Sequence, residues 1–228
     1  VFAQGSKSFF KPRPGHGKNC RNCAIADECE LYVDIAAGVP TGVSWETLIK
    51  DLYLDAEKED GYLRDRCVFD EEIDIWDNTS VVVKYDNGVT ATYTEVLFSP
   101  FAKRRYVLNG TKGRLEVNLD DRGIVFYPLF RGDVKAVRRQ IMDLDAPSTN
   151  PPEVIDPQQV MGDRLRARGG HGGADGNLML SLLEDAEPSP SQAGPLEGRR
   201  AVLIGDAGNR SIDRGQVVRI AEEFGPVR

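Results

Sequence analysis

Residues 78–98 read NTSVVVKYDNGVTATYTEVLF, and this stretch decides the fold. Thr79–Tyr85 and Val89–Phe98 are rich in β-branched and aromatic residues, which predicts two strands. Asp86-Asn87-Gly88 between them tolerates positive φ angles and predicts a tight hairpin turn. A second hairpin is predicted over Arg104–Leu119, so this part of the chain is expected to form an antiparallel meander of four strands.

The same kind of pattern on either side of this stretch predicts further strands. Alternation along the first strand places Val81, Val83 and Tyr85 on one side and Ser80, Val82 and Lys84 on the other, which predicts one buried face. The additional strands are predicted at Gly123–Phe130, Val134–Leu144, a short edge strand at Val154-Ile155, and Val217–Ala221. The sequence therefore predicts a sheet of six strands or more.

Three stretches have the spacing of a helix. With Ser44 as N-cap, apolar residues at helical intervals predict a helix over Trp45–Leu54. Leu178–Leu183 predicts a second helix. Ala201–Ile212 predicts a third with Gly215 as its C-terminal stop, because the apolar run lacks the Gly-Lys-Ser/Thr of a phosphate loop.

Composition limits the classes of partner. The 228 residues carry a formal charge of −7 with a pI near 5.0, and Lys and Arg are scattered, so nucleic acid and anionic membranes are disfavoured. No apolar run approaches the about 20 residues of a membrane span, and no signal-peptide pattern is present, so we expect a cytoplasmic protein. Because the chain begins at Val1 rather than at a methionine, we expect an upstream segment to be missing from it.

The cysteines predict a structural zinc site. Cys20, Cys23 and Cys29 have the spacing Cys-x2-Cys-x5-Cys, which lets sulfurs from a short knuckle face one point, and Cys67 could complete a tetrahedral set. The alternative is a group of reduced thiols that pack as small apolar side chains, or an oxidised pair. His16 is an alternative ligand, although a loop histidine is more often solvated.

Two acidic segments are predicted to be solvated. These are Glu57–Asp65 and Asp70–Asp77, the second of which holds five carboxylates immediately before a strand. A metal or acid–base role for the second segment is the alternative, but charges that lead into a strand are typical of a solvated edge.

The stretch Arg168-Gly-Gly-His-Gly-Gly-Ala-Asp-Gly176 has the most chemical interest. Glycines on both sides of His171 allow the backbone to approach a ligand and expose the imidazole. His171 and Asp175 are predicted at or just before a helix N-terminus, where polar ligand groups are favoured. A ligand-facing loop and an ordinary connector, with Asp175 as N-cap and His171 solvated, both remain open. The stretch is not a dinucleotide fingerprint, since Asp175 occupies the position of the third glycine.

Six short motifs occur along the chain in a fixed order. They are Phe2-Ala-Gln-Gly5, Cys20-Arg-Asn-Cys23 with Cys29, Trp76 to Tyr93, Asn109-Gly-Thr-Lys-Gly-Arg-Leu-Glu116, Gly170-His-Gly-Gly-Ala-Asp175 and Ser211-Ile-Asp-Arg-Gly-Gln-Val217. Together they resemble the C-terminal domain of the glucose-fructose oxidoreductase, inositol dehydrogenase and rhizopine-catabolism (Gfo/Idh/MocA) family, and the resemblance covers nearly the whole chain.

The resemblance implies an α+β fold: a large, open, mostly antiparallel β-sheet with helices packed on one face. The other face is expected to form a homodimer or a higher homo-oligomer. Residues 1–228 would be a single substrate-binding and oligomerisation domain with a Cys-rich loop at 15–32. His171 maps onto the family's His-Gly-Gly-x-Asp element near the substrate, so His171 and Asp175 are the candidate substrate-binding residues.

The family pattern also has parts that this chain lacks. Members carry an N-terminal Rossmann domain of about 120 residues that binds NAD or NADP, and its fingerprint and lysine do not occur here. The family's Asp and His pair for proton transfer lies on that missing side as well. No catalytic or cofactor-binding residue is therefore predicted in this chain, and by itself it is not expected to be catalytic.

Three functions follow from these observations. The first is the substrate-binding and oligomerisation domain of an NAD(P)-dependent sugar or polyol oxidoreductase. The second is a stand-alone, non-enzymatic dimeric binding module held together by a metal on the cysteines. The third is an NAD-dependent glycosidase of the same architecture. An upstream Gly-x-Gly-x-x-Gly in the same reading frame would favour the first, and a start codon just before Val1 the second.

Overall fold

The structure, a computed structural model, describes residues 1–35, 37, 50–118, 123–129, 135, 138, 142, 151–161, 171–183 and 193–226. The strands in this part are β1 (Phe2–Ser6), β2 (Asn78–Lys84), β3 (Thr90–Val96), β4 (Arg105–Gly110), β5 (Gly113–Asn118), β6 (Gly123–Pro128) and β7 (Glu153–Ile155). The α-helices are α1 (Glu57–Asp60), α2 (Pro157–Met161), α3 (Ala174–Leu183), α4 (Pro195–Arg214) and α5 (Ile220–Phe224). Two compact units result: Val1–Ser99 with Ala193–Arg228, and Pro100–Gln192.

The first unit contains a three-stranded antiparallel sheet in the order β1-β2-β3. The hairpin between β2 and β3 is closed by the Tyr85 N–H, which donates to the carbonyl of Val89 at 2.9 Å, and by Gly88, whose φ is +85°. Val83 is buried whereas Val82 is exposed, as the alternation predicts. The predicted hairpin is confirmed, although Tyr85 lies exposed rather than on the buried face.

The second unit contains a four-stranded antiparallel sheet in the order β4-β5-β6-β7. The hairpin between β4 and β5 turns tightly at Thr111-Lys112, and Gly110 pairs with Gly113. Gly113 has a φ of +152°, and a Cβ there would collide with the carbonyl oxygen of Tyr127 on β6. A residue without a side chain is therefore required where β6 joins the hairpin.

The α+β class and the antiparallel pairing are confirmed, but the strands form two sheets rather than one continuous meander. The ladder between β2 and β3 continues in the same register for one more bond, from the Leu97 N–H to the carbonyl of Asp77 at 2.8 Å. Ser99-Pro100 follows, and proline has no N–H to continue a ladder. This connection separates β3 from β4. The prediction of a single domain over residues 1–228 stays a prediction.

Helix α4 confirms the helix predicted around Ala201–Ile212 and packs against β1. The buried residues of α4 are Ala207, Gly208 and Ser211. The Oγ of Ser211 accepts the N–H of Ala3 at 2.9 Å and donates to the carbonyl of Gln216 at 2.6 Å. One hydroxyl thus joins the first strand, the helix and the chain that follows it. The helix ends at Gly215 in the left-handed conformation, as predicted.

The structure corrects two of the predicted strands. Val217–Ala221 is not a strand, because α5 begins at Ile220 and only Val218 pairs, through two bonds to Val1. In the predicted strand Val134–Leu144, the three described positions are helical.

Other predicted elements are confirmed or fall outside the described residues. The edge strand at Val154-Ile155 and the helix at Leu178–Leu183 are confirmed by β7 and α3. The predicted helix Trp45–Leu54 lies outside the described residues except for Lys50–Leu54, a π-helical turn. None of the helices in the described part combines the length and apolar composition that a membrane span requires.

Candidate functional sites

The structure brings His171 and Asp175 together at the start of α3. A single 3-10 turn, His171–Gly173, leads directly into the helix, and His171 has a φ of +53°, which is uncommon for a residue with a side chain. The Nδ1 atom of His171 lies 3.0 Å from Oδ2 and 3.1 Å from Oδ1 of Asp175. The two candidate residues are thus in direct contact, and His171 has a left-handed backbone conformation.

Asp175 lies in the first turn of α3 and is not its N-cap, so that part of the connector interpretation is wrong. A carboxylate in the first turn is favoured by the helix dipole. An ionised carboxylate only accepts hydrogen bonds, so the Nδ1–H of His171 donates to Asp175. In the tautomer that carries its proton on Nδ1, Nε2 has a lone pair that can accept a hydrogen bond from a hydroxyl group.

Both side chains of this pair are exposed, 85% for His171 and 59% for Asp175. The helix that follows is apolar and also exposed: Leu182 and Leu183 are exposed by 68% and 76%. A polar pair beside exposed apolar side chains is typical of surfaces that bind a ligand or another protein surface.

The four cysteines of the predicted zinc site line one cavity in the first unit, together with His16. Two backbone bonds align the segments that carry them: Cys20 N–H donates to the carbonyl of Asp65 at 2.8 Å, and Cys67 N–H donates to the carbonyl of Lys18 at 2.9 Å. Short 3-10 turns at Cys20–Asn22 and Ala26–Glu28 then curl the chain so that the remaining cysteines face the same space.

All four cysteines are free thiols, so the structure contains no oxidised pair among them. Cys67 is buried, and burial raises the pKa of its thiol. His16 is half-buried, with its ring centroid 4.7 Å from that of Phe69, so the expectation of a solvated loop histidine is wrong. In the described part, no group of three or more His, Cys, Asp or Glu side chains is placed so that it could hold a metal ion. The zinc site stays a prediction.

A buried carboxylate holds the cysteine loop in place. Asp65 is 2% exposed and accepts the backbone N–H of Arg21 at 3.0 Å and its Nε–H at 2.8 Å. The hydrogen bonds from Arg21 lower the pKa of Asp65 below its usual range, against the opposing effect of burial. Arg21 also forms an ion pair with Glu57 on α1 at 2.6 Å. The prediction that Asp65 is solvated is therefore wrong.

Asp77 is a second buried carboxylate, 1% exposed, which the sequence also predicts wrongly as solvated. It accepts the backbone N–H groups of Ser8, Phe9 and Phe10, at 3.0, 2.6 and 2.8 Å. Burial raises the pKa of Asp77, but these donors outweigh it and lower the pKa to about 2. The stretch after β1 is thereby fixed to the start of β2.

Asp70 is the third acidic residue that is buried rather than solvated. It is 7% exposed, and its Oδ1 accepts the N–H of Glu72 at 2.8 Å, whereas its Oδ2 has no partner among the described residues. The sequence gives little indication that these carboxylates are buried. Only the register that places Ser6 opposite Asn78 shows that residues 8–10 must pass beside Asp77.

No protein-family model matches the chain. A curated relative, "Putative oxidoreductase YteT" of Bacillus subtilis (strain 168), is 27% identical over 249 aligned positions. The alignment takes in 98% of this chain and 51% of the relative, so the chain spans about half the length of that protein. The similarity supports the oxidoreductase class, and the Gfo/Idh/MocA resemblance stays a prediction.

Proposed function

We propose that this chain is the substrate-binding and oligomerisation domain of an NAD(P)-dependent sugar or polyol oxidoreductase. The observation that carries the proposal is the His171–Asp175 pair at the exposed start of α3. Similarity along 98% of the chain to a protein described as an oxidoreductase supports it. The nucleotide-binding domain would correspond to the half of the relative that this chain does not cover.

In this proposal the pair binds and orients the substrate. Asp175 accepts the Nδ1–H of His171, which fixes the imidazole tautomer and directs Nε2 toward a hydroxyl of the sugar or polyol. A hydroxyl bound in this way is held in a defined orientation. Such orientation lowers the reaction barrier by more than the binding energy of the hydrogen bond alone. The role is substrate contact rather than proton abstraction.

The nicotinamide cofactor supplies the hydride acceptor when it is bound. The sequence of this chain carries no dinucleotide fingerprint, so we assign no residue of it to the cofactor. The 228-residue chain should consequently give no saturable NADH binding in isothermal titration calorimetry, whereas the full-length gene product should bind NADH. Saturable binding by the 228-residue chain would contradict the proposed division of roles.

The exposed apolar residues of the second unit support the oligomerisation part of the proposal. Tyr106 and Leu108 on β4 are 51% and 55% exposed, and large exposed apolar side chains on a sheet favour burial against another subunit. We expect the full-length protein to be a dimer or a higher oligomer by light scattering coupled to size exclusion. A monomer at micromolar concentration would contradict this part.

The contribution of Asp175 can be tested separately from that of its partner. Asp175→Asn in the full-length protein should lower kcat/KM for the sugar or polyol by about tenfold, because the histidine loses its tautomer-fixing acceptor. The KM for the nicotinamide cofactor should stay unchanged. The control is Asp213→Asn on the exposed side of α4. Equal effects of both variants would refute a positioning role.

A further inference from the structure

The cavity between the two cysteine-bearing segments has the size and lining of a site for a single ion. All four cysteines of the chain line it, and three of them come from one loop while Cys67 comes from a segment remote in sequence. Its volume of about 10 Å³ is close to the space one water molecule requires.

Four cysteines and His16 supply sulfur and imidazole atoms to the lining of the cavity, which also includes Asn19 and Tyr32. Thiolates select zinc, copper(I) or iron over magnesium and calcium, which prefer oxygen. Asp65, a buried carboxylate two residues before Cys67, is already paired with Arg21. Four cysteines complete the tetrahedral coordination that zinc prefers in structural sites. His16 is then not one of the ligands.

The backbone around the thiols is already held in place. Hydrogen bonds between residues 18–20 and 65–67 fix the two segments side by side, and the Asp65–Arg21 contact fixes the first knuckle. Two backbone N–H groups donate to sulfur: Gly17 to Sγ of Cys23 at 3.3 Å, and Phe69 to Sγ of Cys67 at 3.4 Å. Two of the four sulfurs are thus already hydrogen-bonded to the backbone.

From this arrangement we infer that Cys20, Cys23, Cys29 and Cys67 bind one structural Zn²⁺ ion, which fastens the cysteine-rich loop to the Asp65–Phe69 segment. As placed, the thiols surround the cavity without the donor arrangement of a bound ion. Binding therefore requires rotation of cysteine side chains on a backbone that is already fixed. Four thiols lose four protons and form four Zn–S bonds, so no oxidant or reductant is involved.

This inference is independent of the proposed function, because its test needs neither substrate nor cofactor. The full-length protein, purified without chelator, is analysed for metals by mass spectrometry. We expect about one zinc per chain, released in parallel with thiol modification by a mercurial reagent. Less than about a tenth of an equivalent of metal with four titratable thiols would overturn the inference. A disulfide in the intact mass, or iron in place of zinc, would overturn it as well.

Cobalt substitution identifies the ligands. The Co²⁺ form of the wild type should show the intense thiolate-to-metal absorption and the d–d bands of a tetrahedral sulfur site. Cys67→Ser should lose at least about tenfold in metal affinity, as measured against a competing chelator. His16→Ala is the matched control because this side chain lines the same cavity, and it should leave the d–d bands in place. A shift of those bands in His16→Ala would overturn the all-cysteine assignment.

Because Cys67 is buried, far-UV circular dichroism of each variant is needed to distinguish metal loss from disruption of the fold. Cys29→Ser provides a second variant at a half-buried position. Loss of metal in both folded variants with retention in His16→Ala supports the inference. Retention of one full equivalent in both cysteine variants overturns it.

Discussion

The two compact units of this protein differ in what they bury. The first unit encloses apolar side chains such as Ala3, Val83, Ala207 and Val218, each at most 8% exposed. In the described part of the second unit, every residue of β4 is exposed and no residue of β5 is fully buried. The first unit encloses an apolar core, whereas the strands β4 and β5 of the second unit leave all their residues at least partly exposed.

The same contrast appears in the carboxylates. Asp65 and Asp77 in the first unit are buried, and their oxygens are used by backbone and arginine donors. Asp175 in the second unit is 59% exposed and contacts a histidine that is itself exposed. The buried carboxylates of the first unit therefore stabilise the fold, whereas the exposed Asp175 is the one that we propose to act on a ligand.

The largest change in the free energy of unfolding is expected for a substitution of Asp77. Asp77→Ala leaves three backbone N–H groups without their acceptor, which should lower the free energy of unfolding by about 3 kcal/mol. Urea unfolding followed by circular dichroism measures it. Asp74→Ala is the matched control because it lies in the same acidic segment but is exposed, and it should change stability by less than about 0.5 kcal/mol. Similar values for the two variants would refute a structural role of Asp77.

A somewhat smaller loss is expected at Ser211. Ser211→Ala removes the acceptor of the Ala3 N–H and the donor to Gln216 in a fully buried position, at a cost of about 2 kcal/mol. The measurement is again the urea midpoint. Ser181→Ala, at a half-buried serine of α3 whose hydroxyl donates to a backbone carbonyl, serves as control and should be close to neutral. An equally small change for Ser211→Ala would show that the hydrogen bonds of Ser211 contribute little to stability.

Lowering the pH should destabilise the first unit, because Asp77 becomes protonated. Its pKa is lowered from 3.8 to about 2 in the folded state, so its stabilisation is fully present above pH 3.8 and is lost as the pH falls toward 2. The loss should be on the order of 1 kcal/mol, allowing for solvent screening. Unfolding free energies measured from pH 5 down to 2 should fall less steeply for Asp77→Asn. Parallel pH profiles for wild type and variant would contradict this linkage.

The smallest effect is expected in the second unit. Leu182→Ala truncates a side chain that is 68% exposed, so the stability of the 228-residue chain should change by less than about 0.5 kcal/mol. Val83→Ala in the first unit, at a residue 8% exposed, should cost more, about 1 to 2 kcal/mol. Comparable losses at both positions would mean that the two units bury their apolar residues to the same degree.

The sequence predicts local structure well where a short pattern determines it. The Asp86-Asn87-Gly88 turn and helix α4 with its stop at Gly215 follow from turn chemistry and helical spacing, and both are confirmed. The division into two sheets is not visible in strand patterns, because it depends on which strands pair after Pro100. Strand propensity alone does not specify the partner.

The candidate sites show the same limit. The contact between His171 and Asp175 could be expected from their four-residue separation at a helix start. The burial of Asp65 and Asp77 could not, because each depends on donors about 40 to 70 residues away in sequence. A run of acidic residues is typical of a solvated surface unless distant backbone N–H groups converge on it.

The proposed contact between His171 and the substrate is tested most directly by steady-state kinetics of the full-length protein. The assay follows NADH formation with myo-inositol and with D-glucose as substrates, for the wild type and for His171→Gln. We expect KM for the better substrate to rise by about tenfold or more in His171→Gln while KM for NAD⁺ is unchanged. Unchanged kinetic constants for the sugar or polyol in His171→Gln would contradict the account.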